Sequence, residues 1–443
     1  IKGTNTMFFI DHKAVPKGRK ITYLNVISAY RPEKKDPHRV RWTCGGDQVD
    51  YPCNVSTKTA DITTAKILIN SVLSTPESKM VLTDLKDFYL GTPMERYEYM
   101  RIPIHMIPDN IMELYKLHDL VHNGYVIVEI RKGMYGLPQA GKLANDRLQK
   151  FLEPHGYCPT NVTAGLWKHK TRPIAFALVV DDFAIKYTNK DDADHLLTTL
   201  EKLYVCSTDW DAKRYCGLNL DWDYKARTCK ISMPGYVERA LQRFQHAAPS
   251  QPEHSPHAWQ KPIYGAKTQY APPDDISTPL DAADTKRVQE ILGTFLYYAR
   301  AVDSSMLVAL GTLATQQSKG TRATMIALTQ LLNYAATHPD ASILFVASDM
   351  CLHVSSDASY LSVPKARSRA SGYHYLSNRP LDPSTPPLPT DPDPPANGAI
   401  HIYCQILKEV LSSASESELA ALFHNGKEAC PLRICLEELG HPQ

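Results

Sequence analysis

Residues 178–185 of this chain read LVVDDFAI and place two adjacent acids, Asp181 and Asp182, inside an otherwise apolar, β-branched run. Burying two unpaired carboxylates side by side costs several kcal/mol, so such acids are normally paired or bound to a metal ion. Apolar runs on both sides of a short polar break are typical of two strands joined by a turn. The stretch therefore predicts a β-hairpin with both carboxylates at its turn, and a solvated Asp-Asp turn is the alternative.

A third acid lies upstream in a similar setting. Asp84 follows an apolar run at residues 80–82 and precedes two aromatic residues, Phe88 and Tyr89. Enzymes that displace a phosphate in line use two divalent ions ~3.5–4 Å apart to clamp the attacking and leaving oxygens. Mg²⁺ is held in such sites by a few carboxylates together with substrate phosphates. The strand and the hairpin together therefore predict a two-metal site for phosphoryl transfer.

Further sequence blocks lie between Asp84 and the acidic pair or after that pair, in a fixed order. They are YMRIP at residues 99–103, KGMYGLPQAG at 132–141, GLNL at 217–220, SSDASY at 355–360 and SASESEL at 413–419. Together with the acids, this order resembles the reverse transcriptase and the beginning of the ribonuclease H domain in Pol polyproteins of copia-type long-terminal-repeat retrotransposons. The resemblance runs, with gaps, over nearly the whole chain.

The resemblance implies an α+β fold organised as a polymerase right hand. It places fingers, palm and thumb in residues 1–247, a linker and helical connection in residues 248–340, and a truncated ribonuclease H-like α/β domain in residues 341–443. The sequence agrees in outline, because a segment rich in Pro, Ser and Gln fills residues 247–282, as a linker would. At 443 residues the chain is long enough for two or three domains, each with its own core.

Apolar periodicity predicts the individual elements. A helix is expected over residues 57–74, with Ser56 as its cap and Pro76 as its stop. Further predicted elements are helices at residues 139–153, 191–204, 236–246, 284–300 and 305–337, a hairpin at 215–233, and strands at 342–346, 351–354 and 399–403. A proline-rich excursion at residues 380–395 should separate the last two strands, because proline cannot continue a central strand.

The resemblance assigns the chemistry residue by residue. It implies that Asp84, Asp181 and Asp182 are the catalytic acids and that they ligate two Mg²⁺ ions, for which Mn²⁺ can substitute. It also implies that the backbone N–H groups of Asp87 and Phe88 face the nucleotide triphosphate. Phe88 departs from the small residue usual at that position, and its bulk is expected to disturb the turn. The alternative for all three acids is capping or solvation of strand ends.

Four further side chains are implied in nucleotide binding. Tyr89 is expected to pack under the incoming sugar and exclude a 2′-hydroxyl, and Gln139 is expected to touch the nucleotide from the fingers. Arg39 and Arg41 are expected to face the triphosphate, since a guanidinium donates to phosphate in a bidentate fork. A core tyrosine and an exposed, helix-terminal glutamine are the respective alternatives.

Two glycine-containing blocks are expected to lie close to the substrate. Gly136 and Gly141 should let the backbone approach it, because glycine has no Cβ. Gly217 and Leu218 belong to the block that resembles the hairpin gripping the primer end.

The ribonuclease H part is expected to be inactive. Asp357 and Glu418 resemble the first two acids of that nuclease, but a third acid, in an Asp-Asn context, has no counterpart. The acids after Glu418 are Glu428, Glu437 and Glu438. We therefore predict that this chain alone does not cleave RNA in a hybrid.

Composition limits the function classes. The formal net charge is +2, so any nucleic-acid groove must be local, for example at the basic residues in 31–35 and 39–41. None of the ten cysteines forms a Cys-x-x-Cys pair, which excludes a zinc ribbon or knuckle. No apolar run is long enough for a membrane span. The chain starts at Ile1, so we expect either a piece cut from a longer polypeptide or an incomplete open reading frame.

The leading functional hypothesis is an RNA-directed DNA polymerase. Its implied partners are an RNA template, a DNA primer, their hybrid, dNTPs and other Pol and Gag products, with no membrane and with room for a homodimer. The implied location is a cytoplasmic virus-like particle or the nucleus. Two rivals are a catalytically decayed remnant that only binds nucleic acid or serves as a structural protein, and a nuclease without polymerase activity.

Overall fold

A computed structural model describes residues 4–30, 37–258, 275–363, 365–379 and 394–443. The basic cluster at residues 31–35, most of the proline-rich segment and the middle of the expected linker lie outside the described residues. Among the described helices, none has the length and apolarity needed to cross a membrane.

The strands and helices follow each other along the chain in a mixed order. The strands are β1 (Met7–Ile10), β2 (Ile21–Tyr30), β3 (His38–Cys44), β4 (Lys79–Lys86), β5 (Pro93–Pro103), β6 (Tyr125–Lys132), β7 (Tyr157–Pro159), β8 (Leu166–His169), β9 (Ile174–Val179), β10 (Asp182–Tyr187), β11 (Val205–Asp209), β12 (Arg214–Tyr215), β13 (Leu218–Asp223), β14 (Thr228–Ser232), β15 (Ser342–Val346), β16 (Cys351–Val363), β17 (Arg367–Ser377) and β18 (Ala399–Ile406). The α-helices are α1 (Ile62–Ser74), α2 (Asp109–Leu114), α3 (Ala140–Leu152), α4 (Lys190–Glu201), α5 (Tyr236–Arg243), α6 (Ala282–Ala301), α7 (Leu307–Ala314), α8 (Arg322–Thr337) and α9 (Ala414–Glu438).

The first sheet is mixed and has the order β1-β6-β5-β2-β3. Strands β2 and β5 run parallel, whereas its other neighbours run antiparallel. Met100, Ile102, Val128 and Ile130 bury one face of this sheet in a core of its own. The β2–β3 hairpin extends beyond that core.

The second sheet carries the predicted acids and has the order β11-β4-β10-β9-β8-β7, all antiparallel. Its side chains alternate between two cores, as the period of a strand requires. Phe183 and Ile185 pack with α3 and α4, whereas Ala177 and Ala184 pack with α1. A sheet buried on both faces needs a continuous apolar run, which explains the composition around the acids.

Helix α1 begins later than its periodicity predicts. Asp61, not Ser56, caps it by accepting a 2.7 Å hydrogen bond from the backbone N of Thr64. The preceding residues lie along β9 instead, where the backbone N of Ala60 donates to the carbonyl of Leu178. The prediction of a helix from residue 57 is therefore wrong for its first turn.

The third sheet, β12-β13-β14-β15, crosses an expected boundary. Strand β15 pairs antiparallel with β14, so the range 341–443 begins inside a sheet formed by earlier residues. The largest core also joins α1, α6, α7, α8 and the C-terminal end of α9. Cores therefore do not separate the three expected units from one another.

The predicted helix at residues 305–337 is two helices. Helix α7 ends before the polar, glycine-containing stretch at residues 316–320. Thr321 then opens α8 with a capping box that it shares with Thr324. The spacing of apolar residues alone predicted one continuous helix, because it does not detect the break between α7 and α8.

The fourth sheet, β16-β17-β18, is antiparallel and is covered by α9. Asn425 of α9 is fully buried against it and donates to Ser356 Oγ at 2.9 Å and to the carbonyl of Ser371 at 2.8 Å. The outer strand β16 and the N-terminal half of α9 carry the two predicted nuclease acids.

Candidate active site

The acidic pair lies at the turn of the β9–β10 hairpin. Val179 pairs with Asp182, so Val180 and Asp181 form a two-residue turn. Val180 has φ of 61°, as at the first position of a type II′ turn, where glycine is usual. A β-branched residue is strained there. The turn is held because Leu85 N of β4 donates to the Asp181 carbonyl at 3.1 Å.

Asp84 lies directly opposite Asp182 in the antiparallel β4–β10 pair. Burial, followed by the charges of Asp181 and Asp84, raises the pKa of Asp182 to about 6. Burial and then Asp84 also raise the pKa of Asp181, while Arg41 and Arg39 oppose that change. Neighbouring acids whose charges raise the pKa of a carboxyl group mark a place where a cation would be stabilising.

The carboxylates of Asp84 and Asp182 lie on opposing strand positions, but they do not form a complete set of metal ligands. In the described ranges, no group of three or more His, Cys, Asp or Glu side chains is arranged so that it could hold a metal ion. The expectation that Asp84, Asp181 and Asp182 together ligate two metal ions stays a prediction. Mg²⁺ is commonly held by one or two carboxylates plus substrate phosphates, and hard oxygens suit it. The Asp84–Asp182 pair fits that requirement.

Two arginines reach the acids from β3. Arg39 and Arg41 are two residues apart, so their side chains leave the same face of the strand. Both lower the pKa of Asp181, which places both within electrostatic reach of the acidic turn. The Arg41 guanidinium lies 5.1 Å from the centre of the Tyr135 ring, and its buried Nε has no hydrogen-bond partner among the described residues. The first and second sheets thus meet at this point.

The turn after β4 absorbs the bulk of Phe88. Asp87 has φ of 56°. Gly91 N donates to the Asp87 carbonyl at 2.7 Å, and Thr92 Oγ1 donates to the Phe88 carbonyl at 2.8 Å. The Phe88 side chain is buried, 5.8 Å from the ring of Tyr204. The prediction that the bulk of Phe88 disturbs the turn is wrong, because its ring packs in the core instead of crowding the turn.

Tyr89 lies beside the acidic turn. Burial, and next the charge of Asp181, raises the pKa of its hydroxyl. Tyr89 lines a small cavity of about 80 Å³ together with Val180 and Gly141. A Cβ on Gly141 would lie 3.6 Å from the Tyr89 hydroxyl. The side chain is therefore half-buried at the edge of a space rather than enclosed in the core.

Gln139 is not directed at the acids. It is fully buried, and its Nε2 donates to Glu98 Oε1 at 3.2 Å. Its own side-chain oxygen has no partner among the described residues. Glu98 is in turn paired with Arg19 at 2.8 Å. Both expectations for Gln139, a nucleotide contact and an exposed side chain, differ from this buried position.

Gly136 serves backbone packing instead of substrate approach. Its φ is 93°, and a Cβ there would collide with the carbonyl oxygen of Cys44. Cys44 N donates to the carbonyl of the neighbouring Tyr135 at 2.8 Å. Glycine is required because two backbone segments meet there.

The hairpin expected to grip the primer end comes close to the acids through its turn. Tyr215 pairs with Leu218, and the intervening Cys216 and Gly217 have φ of 49° and 81°, the type I′ pattern. After burial, the charge of Asp182 is the next cause that raises the pKa of Cys216. The Leu218 side chain is fully buried, so the turn backbone, not that side chain, faces outward.

The two nuclease-like acids are neighbours on the fourth sheet. Asp357 of β16 and Glu418 of α9 are both exposed. Glu418 Oε1 accepts a 3.3 Å hydrogen bond from the backbone N of Ala358. Within the described chain these acids also belong to no group of three potential ligands.

A protein-family model matches the segment of the chain that contains the acidic turn. Residues 47–256, which include Asp84, Asp181 and Asp182, match the family model described as "Reverse transcriptase (RNA-dependent DNA polymerase)". The putative transposon Ty5-1 protein of Saccharomyces cerevisiae is 26% identical over 163 residues, covering 35% of this chain and 47% of that protein. The retrovirus-related Pol polyprotein from transposon TNT 1-94 of Nicotiana tabacum is 21% identical over 362 residues, 81% of this chain and 24% of that polyprotein.

Two solved structures align with most of this chain. One is a foamy viral protease-reverse transcriptase in complex with double-stranded DNA, which is 11% identical with a TM-score of 0.48 and covers 96% of this chain and 57% of its own. The other is a foamy viral protease-reverse transcriptase in complex with an RNA/DNA hybrid, which is 11% identical with a TM-score of 0.46 and covers 97% of this chain and 44% of its own.

The chain spans less than half the length of the two transposon relatives, 47% and 24%. The family match nevertheless includes the acidic hairpin, the opposing strand and the turn that reaches them. Residues 47–256 of this chain therefore belong to the reverse transcriptase family, in the form that copia-type retrotransposon polyproteins carry.

Proposed function

We propose that this chain is an RNA-directed DNA polymerase that adds dNTPs to the 3′ end of a DNA primer on an RNA template. The observation that carries the proposal is the pairing of Asp84 with Asp182, with Asp181 in the adjoining turn, inside the segment matched to reverse transcriptases. Carboxyl groups whose pKa is raised by neighbouring acids are typical of functional sites, and a divalent cation would offset their charge.

The subdomain layout belongs to the same proposal. We assign the first sheet to the fingers, the second sheet to the palm, and the third sheet, with β15, to the thumb. Residues 248–340 supply the helical connection, and the sheet of β16, β17 and β18 with α9 is the ribonuclease H-like part. This keeps the expected order of units and moves the last boundary to follow β15, because β15 pairs with β14.

The chain's own residues divide the work of nucleotidyl transfer. Asp84 and Asp182 would hold Mg²⁺ with Asp181 beside them, and Mn²⁺ can replace it. When bound, the two ions lower the pKa of the primer 3′-hydroxyl and neutralise the leaving pyrophosphate. Arg39 and Arg41 bind the triphosphate with guanidinium donors.

The remaining residues shape the substrate pocket. Tyr89 excludes a 2′-hydroxyl from the incoming sugar. The backbone N–H groups of Asp87 and Phe88 face the triphosphate. The turn at Gly217 supports the primer end, while Leu218 anchors that turn in the core.

The partners follow from the reaction. Template and primer, as an RNA–DNA hybrid, are held through phosphates and 2′-hydroxyls, which carry little sequence information. We propose other Pol and Gag products as protein partners, self-association into a homodimer, and a location in a cytoplasmic virus-like particle or the nucleus.

The ribonuclease H-like part is proposed to be silent in this chain. Asp357 and Glu418 lie together, but the described residues offer no third acid beside them. Metal-dependent cleavage of the RNA strand of a hybrid by the isolated chain would contradict this.

Primer extension tests the proposed polymerase. The assay compares the native chain with Asp181→Asn on oligo(dT)-primed poly(rA) with Mg²⁺ or Mn²⁺. Asp194→Asn is the matched control, since Asp194 is an exposed acid of α4 that pairs with Lys190. We expect extension by the native and control chains and none by Asp181→Asn. No extension by a folded native chain would favour the decayed remnant.

A further inference from the structure

The β12–β13 turn is bonded to the acidic sheet on one side. Tyr215 is buried, and its hydroxyl donates to the carbonyl of Ala177 in β9 at 3.2 Å. Cys216, which follows it, is close enough to Asp182 and Asp181 for their charges to raise its pKa. The inner side of this turn is thus fixed relative to the acids.

The other side of the same turn contacts a tyrosine of α6 and the side chain of Met233. Tyr297 of α6 donates its hydroxyl to the carbonyl of Cys216 at 2.7 Å. A Cβ on the next residue, Gly217, would lie 4.0 Å from that hydroxyl. Tyr297 therefore lies directly over the two-residue turn.

Tyr297 lies at the partly exposed edge of α6, where its ring centre is 6.2 Å from that of Tyr236 in α5. Its side chain is 40% exposed, whereas Ile291, Phe295 and Tyr298 are fully buried and anchor α6 in the main core. A partly exposed tyrosine whose hydroxyl reaches a backbone carbonyl of another element serves the placement of that element. Here the element is the turn that adjoins Asp182.

We propose that Tyr297 is a positioning residue that fixes the turn at residues 216–217 and, through it, the primer end. The inference rests on the proposed polymerase function. It adds a link between α6 and the acidic centre that lies outside the segment matched to the family, residues 47–256. A displacement of ~1 Å at a reacting group can cost ~100-fold in rate. Loss of one hydrogen bond to a turn that keeps its other contacts should cost ~3–10-fold.

Tyr297→Phe is the test, because it removes the hydroxyl and keeps the ring. Tyr236→Phe is the matched control, since the Tyr236 hydroxyl donates at 2.9 Å to the Thr294 carbonyl within the α5–α6 contact instead. Four quantities are measured for each chain. Hydrogen–deuterium exchange of the peptide spanning residues 214–219 and the melting temperature need no activity. The single-turnover rate of dTMP addition and the affinity for the primer–template complete the set.

The proposal expects a specific pattern. Tyr297→Phe should speed exchange in the turn ~3–10-fold and slow dTMP addition by a similar factor, with primer–template affinity and melting temperature unchanged. Tyr236→Phe should match the native chain in all four quantities.

Three results would overturn the inference. They are unchanged exchange in the turn of Tyr297→Phe, faster exchange with an unchanged rate of addition, and equal losses in both variants with a lowered melting temperature. A native chain that adds no nucleotide would refute the proposed polymerase instead, and with it the primer-end role, while the exchange measurement would still decide whether Tyr297 holds the turn.

Discussion

Asp182 carries an electrostatic cost in the metal-free chain. It is partly buried, opposite the exposed Asp84 and next to Asp181. Burial, followed by the charges of Asp181 and Asp84, raises its pKa to about 6. At neutral pH it is nevertheless mostly ionised, so the folded chain holds adjacent negative charges at one edge of the sheet. Such stored repulsion is typical of sites whose charges are balanced only when a ligand binds.

The first prediction concerns the stability of Asp182→Asn. Removing this charge should stabilise the metal-free chain by ~1–2 kcal/mol at pH 7.5, after discounting the pKa shift for solvent screening. Urea unfolding in EDTA measures the difference, and Asp194→Asn serves as the exposed control. A destabilised Asp182→Asn chain would contradict the electrostatic argument.

The sequence predicted which side chains lie at the site where their position depends on spacing along a strand. It did not predict which side chains are buried. The positions of Asp84, Asp181 and Asp182 follow from two apolar runs. In the structure, Asp84 and Asp182 lie opposite each other on neighbouring strands. The burial of Gln139 and Leu218 does not follow, because it depends on Glu98 and on a core assembled from distant segments.

At the scale of single elements, the β9–β10 hairpin contains a strained turn. Val180 adopts φ of 61° although a β-branched residue disfavours it. The second prediction is that Val180→Gly stabilises the chain by ~0.5–1 kcal/mol, since relief of ~1–2 kcal/mol of strain exceeds the added flexibility of the unfolded chain. Urea unfolding checks it. An unchanged or lower midpoint would show that the turn is not strained.

A third prediction contrasts two glycines of different elements. Gly136→Ala should destabilise the chain by at least ~2 kcal/mol, because its φ is 93° and a Cβ would meet the Cys44 carbonyl. Gly293→Ala in α6 should instead stabilise the chain by ~0.5–1 kcal/mol. A Cβ at this position would meet no neighbouring atom within 4 Å, and alanine favours a helix. Thermal unfolding of both variants decides, and equal effects would refute the packing role of Gly136.

Element types were predictable, whereas their ends depended on local hydrogen bonds. The helix expected from residue 57 begins at Ile62 because Asp61 caps it. The helix expected over residues 305–337 divides because Thr321 starts a new capping box. Both errors arise because a polar side chain next to a periodic run competes with helix continuation.

At the scale of the whole molecule, the last residues tie the fourth sheet to the acidic sheet. The Glu438 carboxylate accepts hydrogen bonds from Val162 N at 2.9 Å and Thr163 N at 3.0 Å. The ring Nε2 of His441 lies 2.6 Å from Ser71 Oγ of α1, which also accepts from Lys186 of β10 at 2.7 Å. The end of α9 is thereby anchored beneath the strand that begins with Asp182.

The fourth prediction concerns pH and this anchor. Burial and then Lys186 lower the pKa of His441 from 6.5 to about 4. The folded chain therefore binds fewer protons than the unfolded chain between those values, so this contribution is present above pH 6.5 and is lost as pH falls toward 4.

The measurement for this anchor is urea unfolding at pH 7.5 and 4.5. His441→Gln keeps a hydrogen-bonding group for Ser71 and removes the titration. Between the two pH values, the native chain should lose ~1–2 kcal/mol more stability than the variant, after a discount for partial exposure. Equal pH dependence of the two chains would mean that His441 is not held neutral by burial.

The division into units was the least predictable part of the fold. The family resemblance implied a boundary at residue 341, but β15 closes a sheet that starts at Arg214. Strand pairing across more than a hundred residues leaves no signal in a local sequence window. The main core that joins α1, α6 and α9 is likewise a product of tertiary packing.

Asp84 and Asp182 are proposed to form the cation site of a polymerase. Electron paramagnetic resonance measures the affinity of the chain for Mn²⁺ in the presence of primer–template and a non-hydrolysable dTTP analogue. We expect tight Mn²⁺ binding by the native chain and by Asp194→Asn. Binding by Asp84→Asn and by Asp182→Asn should be at least ~10-fold weaker, since each substitution removes a direct ligand of the ion. Equal Mn²⁺ affinity in all four chains would contradict the proposal.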